Sequence, residues 1–213
     1  MSHESDMMND IRRAFKETAM AFHSQLIAMT PPETTYALLF EISDLAPGAW
    51  PIGATEQSLT RLADKYMLRG YVTRDGNHRE VLRSALRWDS PGDDMDGWYW
   101  AADGVDTELN SLITTACQRS MIRDDKILRE LCLEAFQEIR TTNAFSGSET
   151  EVDFVVGFSV PDTDFRNVVD ELESVNPPLL LDQLRNDFIA AAYAWDQVAS
   201  PRKKSSVDKP KQQ

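Results

Sequence analysis

The run TYALLFEIS at residues 35–43 is followed by DLAPG at 44–48 and AWPIGAT at 49–55. The first nine residues are mostly apolar and rich in β-forming types, which predicts a well-buried strand. DLAPG is turn chemistry, with Pro47-Gly48 its strongest signal. Residues 49–54 then return as a second strand. Pro51 cannot donate to a ladder, so it predicts an edge position or a short ladder there. Thr55 suits a helix N-cap, and Glu56 in the first turn complements the helix dipole. Leu59, Leu62, Ala63, Tyr66 and Met67 mark the buried face of that helix, and Gly70 its stop.

Upstream, Met8, Ile11, Phe15, Ala19, Phe22, Leu26 and Met29 recur at steps of three and four. They predict one amphipathic helix over 6–29, ended by Pro31-Pro32. Downstream, Asp75-Gly76-Asn77 is a turn. Val81, Leu82, Ala85 and Leu86 suit a helix, whereas Leu86-Arg87-Trp88 could open a strand, and a short strand is placed at 85–89. Residues 90–97 form a loop. Helices are predicted over 103–120, with Leu109, Leu112, Ile113 and Ala116 as the stripe, and over 124–142, capped by Asp124. A second strong strand covers 152–160. Asp162-Thr163-Asp164 caps a helix through 174, Asn176-Pro177-Pro178 breaks it, and a last helix runs over 179–198. No repeat recurs. A hairpin and separated strands among many helices predict an α+β fold, with several helices packed on one face of a small, mainly antiparallel sheet. It forms a single domain over 1–200.

The chain has 213 residues, 22 Lys+Arg and 35 Asp+Glu, and a net charge of −13. Residues 201–213 hold Arg202, Lys203, Lys204, Lys209 and Lys211 against Asp208, a net +4 that leaves −17 on residues 1–200. Two prolines and one large apolar residue predict a disordered basic tail there. An acidic body argues against nucleic acid as partner, since phosphate binding needs positive surface. No apolar run is long enough for a membrane span. Residues 1–10 hold no apolar core of the kind a secretory signal needs, so a cytoplasmic protein is expected. Cys117 and Cys132 fit reduced thiols, and neither they nor the three histidines have metal-ligand spacing.

No glycine-rich phosphate loop and no nucleophile elbow occurs. Catalytic, cofactor and metal residues are therefore expected to be none. Asp162 and Asp164 read as helix caps. The informative stretch is 88–106, which carries Trp88, Trp98 and Trp100, six aspartates and no Lys or Arg, a charge of −6 in 19 residues. Three readings compete. The indoles can pack into the core beside Trp50 above a solvated acidic turn. A calcium loop with Asp94 and Asp96 at its third and fifth positions would place Gly92 at the first, which supplies no side-chain ligand. A protein-binding surface would use Trp98, Tyr99 and Trp100 as anchors and Asp93, Asp94 and Asp96 as steering acids.

The elements quoted so far also occur in a recognisable order. Tyr36 to Glu41 is followed by Pro51 to Glu56 and a helix. Arg87-Trp88 and Ser90-Pro91 precede Trp98 to Trp100 and Leu109-Asn110. Phe154 to Ser159 precedes Asp162 and then Val175-Asn176-Pro177. In this order they resemble an uncharacterised bacterial domain-of-unknown-function family over about residues 11–196. The spacer 92–97 is longer and more acidic than that pattern. The resemblance implies a place among bacterial toxin-neutralising immunity proteins, distantly similar to the Smi1/Knr4-type superfamily. The expected partner is then a basic toxin domain. The alternatives are a small-molecule enzyme using Asp/Glu carboxylates in a cleft, and a structural or oligomeric protein.

Overall fold

The computed structural model describes residues 3–30, 32–43, 47–74, 76–88, 97–142, 144–145, 154–160 and 167–199. In chain order the elements are α1 (His3–Met29), β1 (Thr35–Ser43), β2 (Gly48–Thr55), α2 (Glu56–Leu68), β3 (Val72–Thr73), α3 (His78–Leu86), β4 (Tyr99–Trp100), α4 (Thr107–Gln118), α5 (Asp125–Thr141), β5 (Val155–Ser159), a 3-10 helix (Val169–Ser174), α6 (Pro178–Gln197) and β6 (Val198–Ala199). The hairpin of β1 and β2 is the centre of a four-stranded sheet in the order β4-β2-β1-β5. β1 and β2 are antiparallel, β4 is antiparallel to β2, and β5 runs parallel to β1. β3 and β6 form a separate antiparallel pair. The fold class is α+β, as the sequence predicts.

The strong apolar runs became the buried strands. Ala37, Leu38, Leu39, Phe40, Ile42, Ile52 and Ala54 are essentially inaccessible. β2 is an internal strand despite Pro51, and the ladder beside it is short. The Pro51 carbonyl accepts from Ala101 N–H at 3.4 Å, so it faces the β4 side. In an extended chain a residue's nitrogen faces the same side as its carbonyl. The missing donor therefore falls just past the two-residue β4 ladder, which involves only Ile52 and Gly53.

Helices cover both faces of the sheet, not one. On the face that carries Phe40, Phe15 of α1 meets that ring edge-on at 5.0 Å and Phe136 of α5 lies 5.9 Å from it. A Cβ on Gly53 would collide with Leu26 and press on Phe22, so the missing side chain lets α1 lie close. On the other face, Leu172 of the 3-10 helix occupies the space above Gly157.

Three predicted elements differ. The strand expected at 85–89 does not open over its described residues, 85–88; Leu82, Ala85 and Leu86 are the buried stripe of α3, at helical spacing. α4 begins at Thr107 because Asp103 to Asp106 form a turn, with Gly104 at φ +99°. The predicted helix through 174 is a six-residue 3-10 helix, and its expected caps Asp162 and Asp164 lie outside the described residues, as does the basic tail. α2 forms as the sequence predicts, with Thr55 Oγ1 accepting from Ser58 N–H and Ser58 Oγ accepting from Thr55 N–H. Cys117 and Cys132 are free thiols, and burial pushes both pKa values up.

Candidate functional site

The expected anchors divide between the two sides of the sheet. Trp98 is 8% exposed and belongs to the core, packed 6.3 Å from Tyr36, so it offers no outward surface. Its segment is tied down through Gly97, whose carbonyl accepts from Ser58 Oγ at 2.8 Å. Tyr99 is half-buried and already engaged. Its hydroxyl donates to Glu33 Oε2 at 3.0 Å and accepts from Arg61. Glu33 also takes Arg61 at 2.6 Å and Thr55 Oγ1 at 2.5 Å. The Arg61 guanidinium holds the Glu33 carboxyl below its ordinary value against the opposing effect of burial. Burial and the Glu33 carboxylate push the Tyr99 phenol up. Tyr99 is thus part of an internal brace. Asp93, Asp94 and Asp96 lie outside the described residues.

Trp100 is half-buried, and its register sets it diagonally from Trp50, the residue beside which the sequence placed these indoles. Trp100 lies opposite Ile52, and Trp50 is two residues further along β2. Side chains two apart on a strand, or directly opposite across a ladder, share a face. Trp50, Ile52 and Trp100 therefore point the same way, as does Glu41, which lies opposite both Trp50 and Ser159. Lower on that face Leu39, Ile52 and Ala54 are sealed, whereas Glu41, Trp50, Ser159 and Trp100 are only partly covered.

The chain after β4 runs along the edge of the sheet and carries Asp103, Asp106 and Glu108. It continues along β2 through the Ala101 contact with Pro51, then Ala102 N–H donates to Gln25 at 3.2 Å. At the start of α4, Asn110 pairs with the backbone of Ala49, accepting its N–H at 2.9 Å and donating to its carbonyl at 3.1 Å. The same amide donates to Asp106 Oδ2 at 2.9 Å. The Trp50 ring lies over Gly48 toward Asn110: a Cβ on Gly48 would stand 2.6 Å from Trp50 Cη2 and 3.2 Å from Asn110 Oδ1. Asp103 and Glu108 are exposed, and among the described residues no cation pairs with either. Trp100 Nε1 and Ser159 Oγ are both buried with no hydrogen-bond partner. A group left so costs about 1–3 kcal/mol.

A second polar cluster joins α2, α3 and α6. Arg87 forks onto both Glu56 oxygens, reaches Asp187 at 3.0 Å, and lies 4.4 Å from the centroid of the Tyr36 ring. Arg83 adds a second guanidinium to Glu56 at 2.9 Å. Trp88 Nε1 donates to Asp187 at 3.2 Å and Tyr36 donates to the Arg87 carbonyl at 2.9 Å. Arg87 and Asp187 appear in the walls of two cavities, of about 100 and 150 Å³. Burial raises the Glu56 pKa, yet Arg87 and Arg83 outweigh it and the net shift is downward. A carboxyl held low is a poor proton donor near neutral pH. This geometry makes a charge-balanced brace between helices.

Among the described residues, no three His, Cys, Asp or Glu side chains are placed to hold a metal ion, and no helix is long and apolar enough to cross a membrane. The sequence set the indoles beside Trp50, but the face that Trp50 and Trp100 share depends on register across fifty residues. No family model, curated protein or solved structure gives a significant match to the chain.

Proposed function

We propose that this chain is a non-catalytic protein-binding domain that captures a basic partner, acting as an immunity protein that masks a toxin domain. Support comes from the charge: −17 on residues 1–200, with Asp103 and Glu108 exposed and, among the described residues, without counter-ions. Such a field speeds encounter with a cationic protein and makes association salt-sensitive. The resemblance of the motif order to that of the bacterial family favours the immunity role. The surface is acidic and aromatic, with Trp100 kept from the expected anchors and Trp50 joined to it. Trp98 takes no part, and Tyr99 serves the Glu33 and Arg61 brace.

Co-expression tests the proposal. The protein is expected to restore growth to cells producing the toxic product of an adjacent gene, and to co-purify with it in a complex that dissociates as salt rises. Absence of both protection and complex with every neighbouring product would overturn it.

A further inference from the structure

We infer that the cavity of about 100 Å³ lined by the start of β1, the end of α3 and α6 binds a small neutral polyol. The inference goes beyond the protein-binding reading and does not depend on it. Three observations converge on this cavity. Its charged groups are already settled among themselves. Arg87 forks onto Glu56, which also takes Arg83, and Arg87 faces Asp187 at 3.0 Å. Its neutral polar groups are not settled. Thr34, Thr35 and Gln183 line it, and among the described residues neither threonine hydroxyl nor the Gln183 amide makes a hydrogen bond. The remaining wall is apolar and rigid, with Tyr36, Trp88, Leu180 and Leu184 held in or beside the core.

The occupant follows from the chemistry of the walls. A charged ligand would have to pull Arg87 from its carboxylates or stand unpaired beside them, and breaking such a pair is costly. A neutral ligand leaves the pairs intact. Threonine hydroxyls and a glutamine amide both donate and accept, and the group that answers them in both roles without a charge is another hydroxyl. Asp187 adds one more acceptor. Its Oδ2 accepts from Trp88 Nε1 and faces Arg87 Nε, and its Oδ1 makes no hydrogen bond among the described residues. Apolar walls with a few convergent polar groups are the usual make-up of a small-molecule site. The carbon skeleton of a polyol lies against the apolar side while its hydroxyls meet Thr34, Thr35 and Gln183. At roughly 30 Å³ per water the cavity takes about three waters, so the ligand is small. Gln183 and Thr34 are exposed, which leaves it a way in.

The full chain is titrated with glycerol, erythritol and xylose while its amide and indole NMR signals are followed. At least one of the three is expected to bind saturably, shifting the Trp88 indole and the Thr35 and Gln183 amides together. Acetate, ethylammonium and dimethoxyethane carry a charge or lack a hydroxyl donor, and should give no saturable shift at the same concentrations. Gln183→Leu and Thr35→Val remove uncommitted polar groups without touching the ion pairs, and each should weaken binding about fivefold. Gln137→Leu makes the same kind of exchange on the exposed face of α5 and should leave affinity unchanged. Spectral dispersion verifies folding, and if Thr35→Val fails to fold, Gln183→Leu decides. Shifts that stay linear with concentration for all three polyols would mean that the cavity holds water only and would overturn the site. Equal binding of acetate or ethylammonium, or unchanged affinity in Gln183→Leu, would overturn it too. None of these results bears on capture of a basic protein, which co-expression reads separately.

Discussion

The side-chain amide of Asn176 pairs with the backbone of Val156 as a neighbouring strand would. Its Oδ1 accepts Val156 N–H at 2.9 Å and its Nδ2 donates to Val156 C=O at 2.7 Å. Asn176 is 5% exposed, and Nδ2 also reaches the Leu172 carbonyl at 3.2 Å. One amide thus closes the outer edge of β5 at that point, where an unpaired row of peptide groups would invite another chain. Asn110 does the same for Ala49 of β2, so both flanks of the sheet carry the same device. Asn176→Ala leaves a buried peptide N–H and C=O without partners. It is expected to lower unfolding free energy by about 2–3 kcal/mol, and the less buried Asn110→Ala by about 1–2 kcal/mol. Urea denaturation of the two variants would measure this; equal, negligible losses would show that the edges are satisfied some other way.

Gly157 carries the opposite constraint. It has φ +150°, which L side chains rarely adopt, and Leu172 fills the place of its absent side chain. Gly157→Ala combines backbone strain with overpacking and should cost about 2–4 kcal/mol. Adding Leu172→Ala would remove the collision but not the strain, and it opens a cavity of its own. A double-mutant cycle by thermal melting should therefore show the two losses to be less than additive. Strict additivity would mean that these residues do not share the space.

The sequence made the hairpin, α1, α2 and α5 legible because each is set by local rules: apolar periodicity, a Pro-Gly turn, a capping residue. β3 and β6 escaped because two residues carry no period. α3 was ambiguous because Leu82, Ala85 and Leu86 satisfy a helix while Arg87 and Trp88 lengthen the run into something strand-like. The site was half legible. Trp98 and Trp100 stood out through composition, but how far each is covered depends on tertiary packing, which seals Trp98 beside Tyr36 and leaves Trp100 partly accessible. The Asn-Pro and Leu-Asn pairs, Asn176-Pro177 and Leu109-Asn110, attracted notice as motifs. Their asparagines serve the sheet edges.

Arg87 is the joint between β1, α2 and α6. Arg87→Ala would leave Glu56 with only Arg83 and deprive Asp187 of its guanidinium. Both carboxylates are partly exposed, so the expected loss is about 1.5–3 kcal/mol, below that of a fully buried pair. Arg87→Lys keeps the charge but cannot fork onto Glu56 or lie flat on Tyr36, and it should recover less than half of the loss. Chemical denaturation distinguishes the two cases. Full recovery by lysine would show that only the charge matters.

The pH profile should carry two separate signatures. His23 lies 4.7 Å from Phe145 and 5.4 Å from Phe154, and burial lowers its pKa. The fold therefore prefers the neutral ring. Stability from this source is present above the unfolded value of about 6.5 and is lost as pH falls from there toward the depressed folded value. Glu33 and Glu56 are also depressed, the first by Arg61, the second by Arg87 and Arg83 against the effect of burial. Their contribution is intact above the unfolded value of about 4.3 and is lost as pH falls through the lower folded values. His23→Leu should flatten the melting temperature only in the upper window, below pH about 6.5, and Glu56→Gln only in the lower one. A His23→Leu profile that keeps the wild-type slope between pH about 5 and 6.5 would show that the imidazole is not held neutral among the phenylalanines.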